Sequence, residues 1–152
     1  MIFQYDICAE LTGLIRNRSS GFAEKVALKG IVLRVYEYER TLSRHLVGRY
    51  KNVLAEHGLN FDENLYTTAK KAFAPSRLKI NAWADIRDTA AGHYEPDTDS
   101  QIAALESLQA GPVVDICNDF LAFNMAVTTM FQNTGNELLV KQAASQTPLK
   151  PS

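Results

Sequence analysis

Arg87 and His93, with Asp88 directly after the arginine, are the residues whose types and spacing suit chemistry on a phosphodiester. An arginine presents a planar, permanently charged fork to phosphate oxygens, and a histidine exchanges a proton near neutral pH. Those are the two tools of a metal-independent ribonuclease. The histidine moves a proton on the 2′-hydroxyl or the leaving oxygen, while the arginine stabilises charge building on phosphorus. Six steps of ideal helix would leave the two side chains ~120° apart. Gly92 lets the chain leave the helix in a left-handed conformation, so that His93 curls back toward the last turn. The negative helix end there favours the protonated imidazole.

A structural reading of the same residues stays open, in which Arg87 pairs with Asp85, Asp97 or Asp99 and His93 caps its helix. Asp85, Asp88, Glu95, Asp97 and Asp99 also surround the pair with negative charge. RNA would bind there only if basic residues, those of a partner subunit included, outweigh them.

Other sites are not supported. There is no GxGxxG or GxxxxGK[ST] loop for a nucleotide cofactor and no GxSxG elbow. Without HExxH, ExxH or a Cys/His cluster, neither a zinc nor a di-iron centre is expected, so the reading involves no cofactor and no metal. His45 reads as structural or exposed, and His57, before the helix-ending Gly58, as a C-terminal cap.

The string Ile86-Arg87-Asp88-x4-His93-Tyr94 at a helix end, the earlier Tyr36-Glu37-Tyr38-Glu39-Arg40 on a long helix and an apolar last helix resemble the HEPN superfamily. The likeness is greatest to its small prokaryotic members of the abortive-infection and toxin–antitoxin kind. About ten residues anchor the resemblance; the rest of the chain agrees in helix order. It implies a helical homodimer whose two motifs meet at a composite RNA-cleaving site, held in check by a neutralising partner protein. Arg87 would orient the scissile phosphate, His93 would transfer protons, and Asp88 fills the polar position after the arginine. Glu39 would hold Arg87 or His93 in place, and Tyr94 would stack on a base or pack. A non-catalytic relative would use the same bundle as a protein- or nucleotide-binding module.

The elements that must position these residues are helices. Apolar residues recur at three- and four-residue spacing, with no sustained alternation, so the fold class is all-α: a bundle with about four long core helices plus short ones. Helices are expected over residues 2–16, 22–57, 63–73, 76–90, 97–108 and 113–132. Pro75 separates the third from the fourth, and Gly111-Pro112 opens the last. The tail 147–152 follows a single domain, 1–146.

On the long second helix Leu28, Ile31, Val35, Tyr38, Leu42, Leu46 and Val53 fall in one arc, with a bend near Gly30 or Gly48. Arg40, Arg44 and Lys51 form a basic stripe opposite. That stripe is either a solvated face or a nucleic-acid contact. Glu39 and Arg49 point into or beside the apolar arc, which suits partners at the core edge or a polar site between helices.

The chain has 152 residues, 46% hydrophobic and 22% charged, close to the globular average. Residues 1–81 carry 13 Lys and Arg against 8 Asp and Glu, and residues 82–152 carry 3 against 9. Either the halves pack side by side and complement one another, or the basic half faces nucleic acid or an acidic partner. Cys8 and Cys117 are far apart with no CxxC spacing and read as reduced core residues. With no apolar run of membrane length and no basic leader at Met1, the expectation is a cytoplasmic protein without a membrane anchor.

Overall fold

The computed structural model describes residues 2–89 and 98–145. It is all-helical, as the spacing predicts: α1 (Ile2–Asn17), α2 (Phe22–Thr41), a π-helical turn (Leu42–Leu46), α3 (Val47–Glu56), α4 (Glu63–Ala82), α5 (Ala84–Arg87), α6 (Thr98–Glu106) and α7 (Ala110–Ser145). No helix among the described residues is long and apolar enough to cross a membrane.

The core is built on α7. Val113, Ile116, Cys117, Phe120, Phe123, Val127 and Met130 are buried along it, recurring at three and four residues so that one broad face turns inward. Phe120 is fully buried and takes Phe3 of α1 and Tyr38 of α2 edge-on, at 5.9 and 6.0 Å between ring centroids. Phe3 and Tyr38 are themselves stacked at 3.6 Å. On the other flank Phe73 of α4 stacks on Phe123 at 4.7 Å. Three helices thus converge on one aromatic cluster, and such pairs each add about 0.5–1.5 kcal/mol beyond their buried area.

The helix ends follow from particular residues. Asp62 caps α4, its Oδ1 accepting from the Leu65 amide at 2.9 Å. After α3, His57 stands at the C-cap and Gly58 takes φ +63°. The amides of Gly58 and Leu59 then donate to the Ala55 and Leu54 carbonyls at 3.1 and 2.9 Å, closing a Schellman motif. Pro112 falls in the first turn of α7, where a missing N–H costs nothing. Lys25 Nζ bonds the Glu106 carbonyl at 3.2 Å and also the Leu108 carbonyl, so α2 holds the carbonyl end of α6.

Three boundaries differ from expectation. Pro75 does not divide α4, which runs through it from Glu63 to Ala82; the break falls at Trp83 instead, so the helix expected over 76–90 is split between α4 and the short α5. An interior proline costs about 3 kcal/mol. Phe73, Ser76 and Ile80, buried on either side of it, keep the helix face in the core and offset that cost. The last helix continues past Gln132 to Ser145, and Gly135 does not stop it.

The third difference lies in the long second helix, where the interruption falls at the π turn Leu42–Leu46 rather than at Gly30 or Gly48. A π turn acts as one inserted residue, displacing everything downstream by ~100° relative to a continuous helix. The buried set shifts accordingly. Val47 and Leu54 are in the core, at 4% and 2% exposure, and Leu46 and Val53 are not, at 37% each. The predicted apolar arc holds as far as Leu42 and is off by one residue beyond it.

Candidate nucleic-acid interface

The short helix α5 carries the motif arginine. Trp83, buried between α4 and α5, anchors it: its carbonyl accepts from the Arg87 amide at 2.9 Å. The Arg87 side chain reaches back to α2, where Nε donates to Glu37 Oε1 at 2.8 Å, and Nη1 donates to Asp88 Oδ1 at 2.8 Å. These bonds, with Asp88 the larger influence and Glu37 next, raise the guanidinium pKa still further. Arg87 is thus a solvent-facing, permanently charged group, clamped in direction by two carboxylates that are themselves exposed. Gly92, His93, Tyr94, Glu95 and Asp97 lie outside the described residues.

Glu39 has a different partner from the one the resemblance implies. It is buried at 3% exposure, and its Oε1 accepts from Arg77 Nε at 2.7 Å and from Ser43 Oγ at 2.6 Å. Arg87 is held instead by Glu37, on the outer flank of the same helix. Helical phase singles out Glu39 as the inward carboxylate. It is silent about Glu37, whose significance comes from α5 packing alongside, 50 residues later in the chain.

Arg40 and Arg44 stay together, and α4 adds to them. With Arg77, Asn81, Tyr36, Glu39 and Ser43 they line a cavity of about 230 Å³ between α2, the π turn and α4. Arg40 and Arg44 make no ion pair among the described residues, so the single carboxylate lining this cavity, Glu39, leaves its charge strongly positive. Glu37, Arg40 and Arg44 follow one another at three- and four-residue steps, which places the Arg87 clamp on the same flank as the arginine cavity.

Lys51 does not belong to that stripe. It is paired with Glu63 and lies over the Phe61 and Tyr66 rings, 4.7 and 5.3 Å from their centroids. It falls beyond the π turn, and the same displacement that shifts the apolar arc separates it from Arg40 and Arg44. Arg77 and Asn81 were not singled out from the sequence. Their spacing of four on an α-helix is the available signal, and it gains meaning only once α4 is seen to run unbroken through Pro75.

The remaining candidates are quieter. His45 is exposed; of the two cysteines expected in the core, Cys8 on α1 is exposed, and Cys117 is fully buried with its thiol pushed up to about 12 by desolvation. Ser76 is buried and donates to Asp119, tying α4 to α7. No family model, curated protein or solved structure matches this chain.

Proposed function

We propose that this chain is a HEPN-like RNA-binding protein that cleaves RNA without a metal, as a cytoplasmic homodimer of the toxin or phage-defence type with a neutralising partner protein. The observation that carries this reading is the shared flank of α2. Arg40 and Arg44, unpaired among the described residues, and Arg77 surround one cavity there, and the Arg87 clamp sits beside it. A row of arginines along a groove suits successive phosphates of a strand, and each fork accepts phosphate oxygens in pairs.

In the proposed reaction Arg87 faces the scissile phosphate, where it stabilises the charge that develops as the 2′-oxygen attacks phosphorus. His93 moves a proton from the 2′-hydroxyl or onto the leaving 5′-oxygen. Asp88 and Glu37 aim the guanidinium. Arg40, Arg44 and Arg77 hold the strand on either side of the break and offset the nearby carboxylates. A non-catalytic binding module is the second reading. It is favoured by the double neutralisation of Arg87, which must exchange at least one carboxylate for phosphate before it can act.

The test is cleavage of a mixed RNA substrate in EDTA by wild type, His93→Ala and Arg87→Ala, with folding and dimerisation checked for each. Cleavage by wild type, reduced by about 10²-fold or more in either variant, supports the enzyme. No cleavage by a folded dimer that still binds RNA moves the assignment to the binding module. A monomer indifferent to RNA overturns both.

A further inference from the structure

On the opposite side of α2 from the arginine cavity, a second and larger cavity of about 430 Å³ lies between the π turn, α3 and α7. Its size falls within the range of small-molecule sites, and its walls are largely apolar, including Leu46, Val53, Val127 and Phe131. Leu46 and Val53 are the two residues that a continuous helix would have buried. The π turn places them along this groove instead, each 37% exposed. Turns of this kind are found frequently at functional sites.

Besides the hydroxyls of Tyr38, Thr128 and Tyr50, the last of which donates to the Phe131 carbonyl, two polar groups of opposite kind line the groove. Asn124 lines it at 1% exposure, so it belongs to the deep end. Its Oδ1 has no hydrogen-bond partner, and its Nδ2 reaches Gln4 Oε1 only at 3.5 Å. A buried amide oxygen left without a donor costs about 1–3 kcal/mol, and a ligand that supplies one recovers it. Arg49 lines the same groove from an exposed position, and makes no ion pair among the described residues. A buried acceptor lacking its donor, apolar walls, and an exposed cation without an ion pair among the described residues thus line one groove.

We infer that this groove binds a small amphipathic acid: a hydroxyl or N–H at one end meeting Asn124, an apolar or aromatic body along Leu46, Val53, Val127 and Phe131, and an anionic group at Arg49. The polarity of each end matches one lining residue, and the site does not depend on the RNA reading.

The experiment is calorimetric titration of the whole chain with 3-(4-hydroxyphenyl)propionate, which carries a phenol and a carboxylate at opposite ends of an aryl body. Two companions each lack one end: 3-phenylpropionate has no hydroxyl and 4-ethylphenol has no carboxylate. The expected result is saturable binding of one molecule per chain, about tenfold weaker for 3-phenylpropionate because Asn124 is left unsatisfied. Arg49→Gln should abolish the preference for the acid over 4-ethylphenol. Leu46→Trp, at a position exposed enough to accept the ring, should fill the groove and abolish binding of all three while the helical circular dichroism is retained. Equal binding of the hydroxylated and deoxy acids, binding unaffected by Leu46→Trp, or no saturable binding to folded wild type would each overturn the proposal. So would a dimer that Leu46→Trp splits into monomers, because the groove would then be an interface with a second copy.

Discussion

Two carboxylates two residues apart on α2 each hold an arginine, and the two pairs share little else. Glu39 and Arg77 meet in the interior: the acid is 3% exposed, a serine hydroxyl completes its shell, and the helices that carry the pair are packed on the aromatic core. Glu37 and Arg87 meet in water, on a four-residue helix, with Asp88 as a second exposed acceptor. At nearly the same distance, 2.7 against 2.8 Å, the energetics differ. A buried carboxylate deprived of its cation is costly, whereas an exposed pair is screened by water and contributes little. The first arrangement holds helices together. The second keeps a charged group aimed at solvent, and in the proposed reaction it is there that a phosphate displaces a carboxylate.

The contrast can be broken most decisively at Arg87. Its change to alanine should lower RNA cleavage by about a hundredfold to a thousandfold, as loss of a transition-state donor does, and leave the urea midpoint almost unchanged. A large loss of stability with activity intact would invert the comparison. Arg77→Ala should act first on stability, costing about 2–3 kcal/mol in urea unfolding, because Glu39 stays behind as a buried charge with only Ser43 as donor, and should weaken RNA binding far less than Arg87→Ala lowers cleavage. That figure lies below the cost for a fully enclosed pair, since Arg77 is itself one-third exposed. A change under about 0.5 kcal/mol would show that water reaches Glu39.

Smaller effects sharpen the same distinction. Glu37→Ala should alter stability by less than about 0.5 kcal/mol and tighten RNA binding at low salt, by removing a competitor for Arg87. Weaker binding would show that aiming the guanidinium matters more than freeing it. The two cysteines repeat the contrast between outside and inside. Cys8 is exposed, and Cys117 is buried with its thiol near 12, well above the ordinary 9. Iodoacetamide at pH 8–9 should therefore modify one thiol per native chain, and two after unfolding. Because the Cys117 thiol is raised, its protonated form favours the native state up to about pH 9. That contribution is lost as pH rises from 9 toward 12, so an alkaline midpoint should move up in Cys117→Ala if the fold accepts the smaller side chain.

Much of the helical framework is visible in the sequence because it is local. Asp62 at an N-cap, Gly58 after a helix and the inward run Leu28, Ile31, Val35 each act within one or two turns of themselves. What was hidden depends on distance. Proline 75 reads as a breaker until Phe73, Ser76 and Ile80 are seen to be held by α7. Glu37 reads as one more surface acid until α5 lies beside it. The basic stripe is half legible: Arg40 precedes the π turn and Arg44 lies within it, and both line one cavity, whereas Lys51 follows it and is carried away to Glu63 and two aromatic rings. Nothing in Leu42-Ser43-Arg44-His45-Leu46 announces a wider turn.

That turn also makes the chain tolerant in an unusual way. A helix with one surplus residue has a spare that can be removed without dragging its neighbours out of place. Excision of the exposed His45 should let the turn relax to ordinary α geometry, with Val47 and Leu54 still seated in the core, whereas excising a residue from the middle of α4 or α7 should scramble every contact beyond the cut. Residues 42–46 are therefore where this helix can lose a position while the core contacts on both sides of the turn keep their phase.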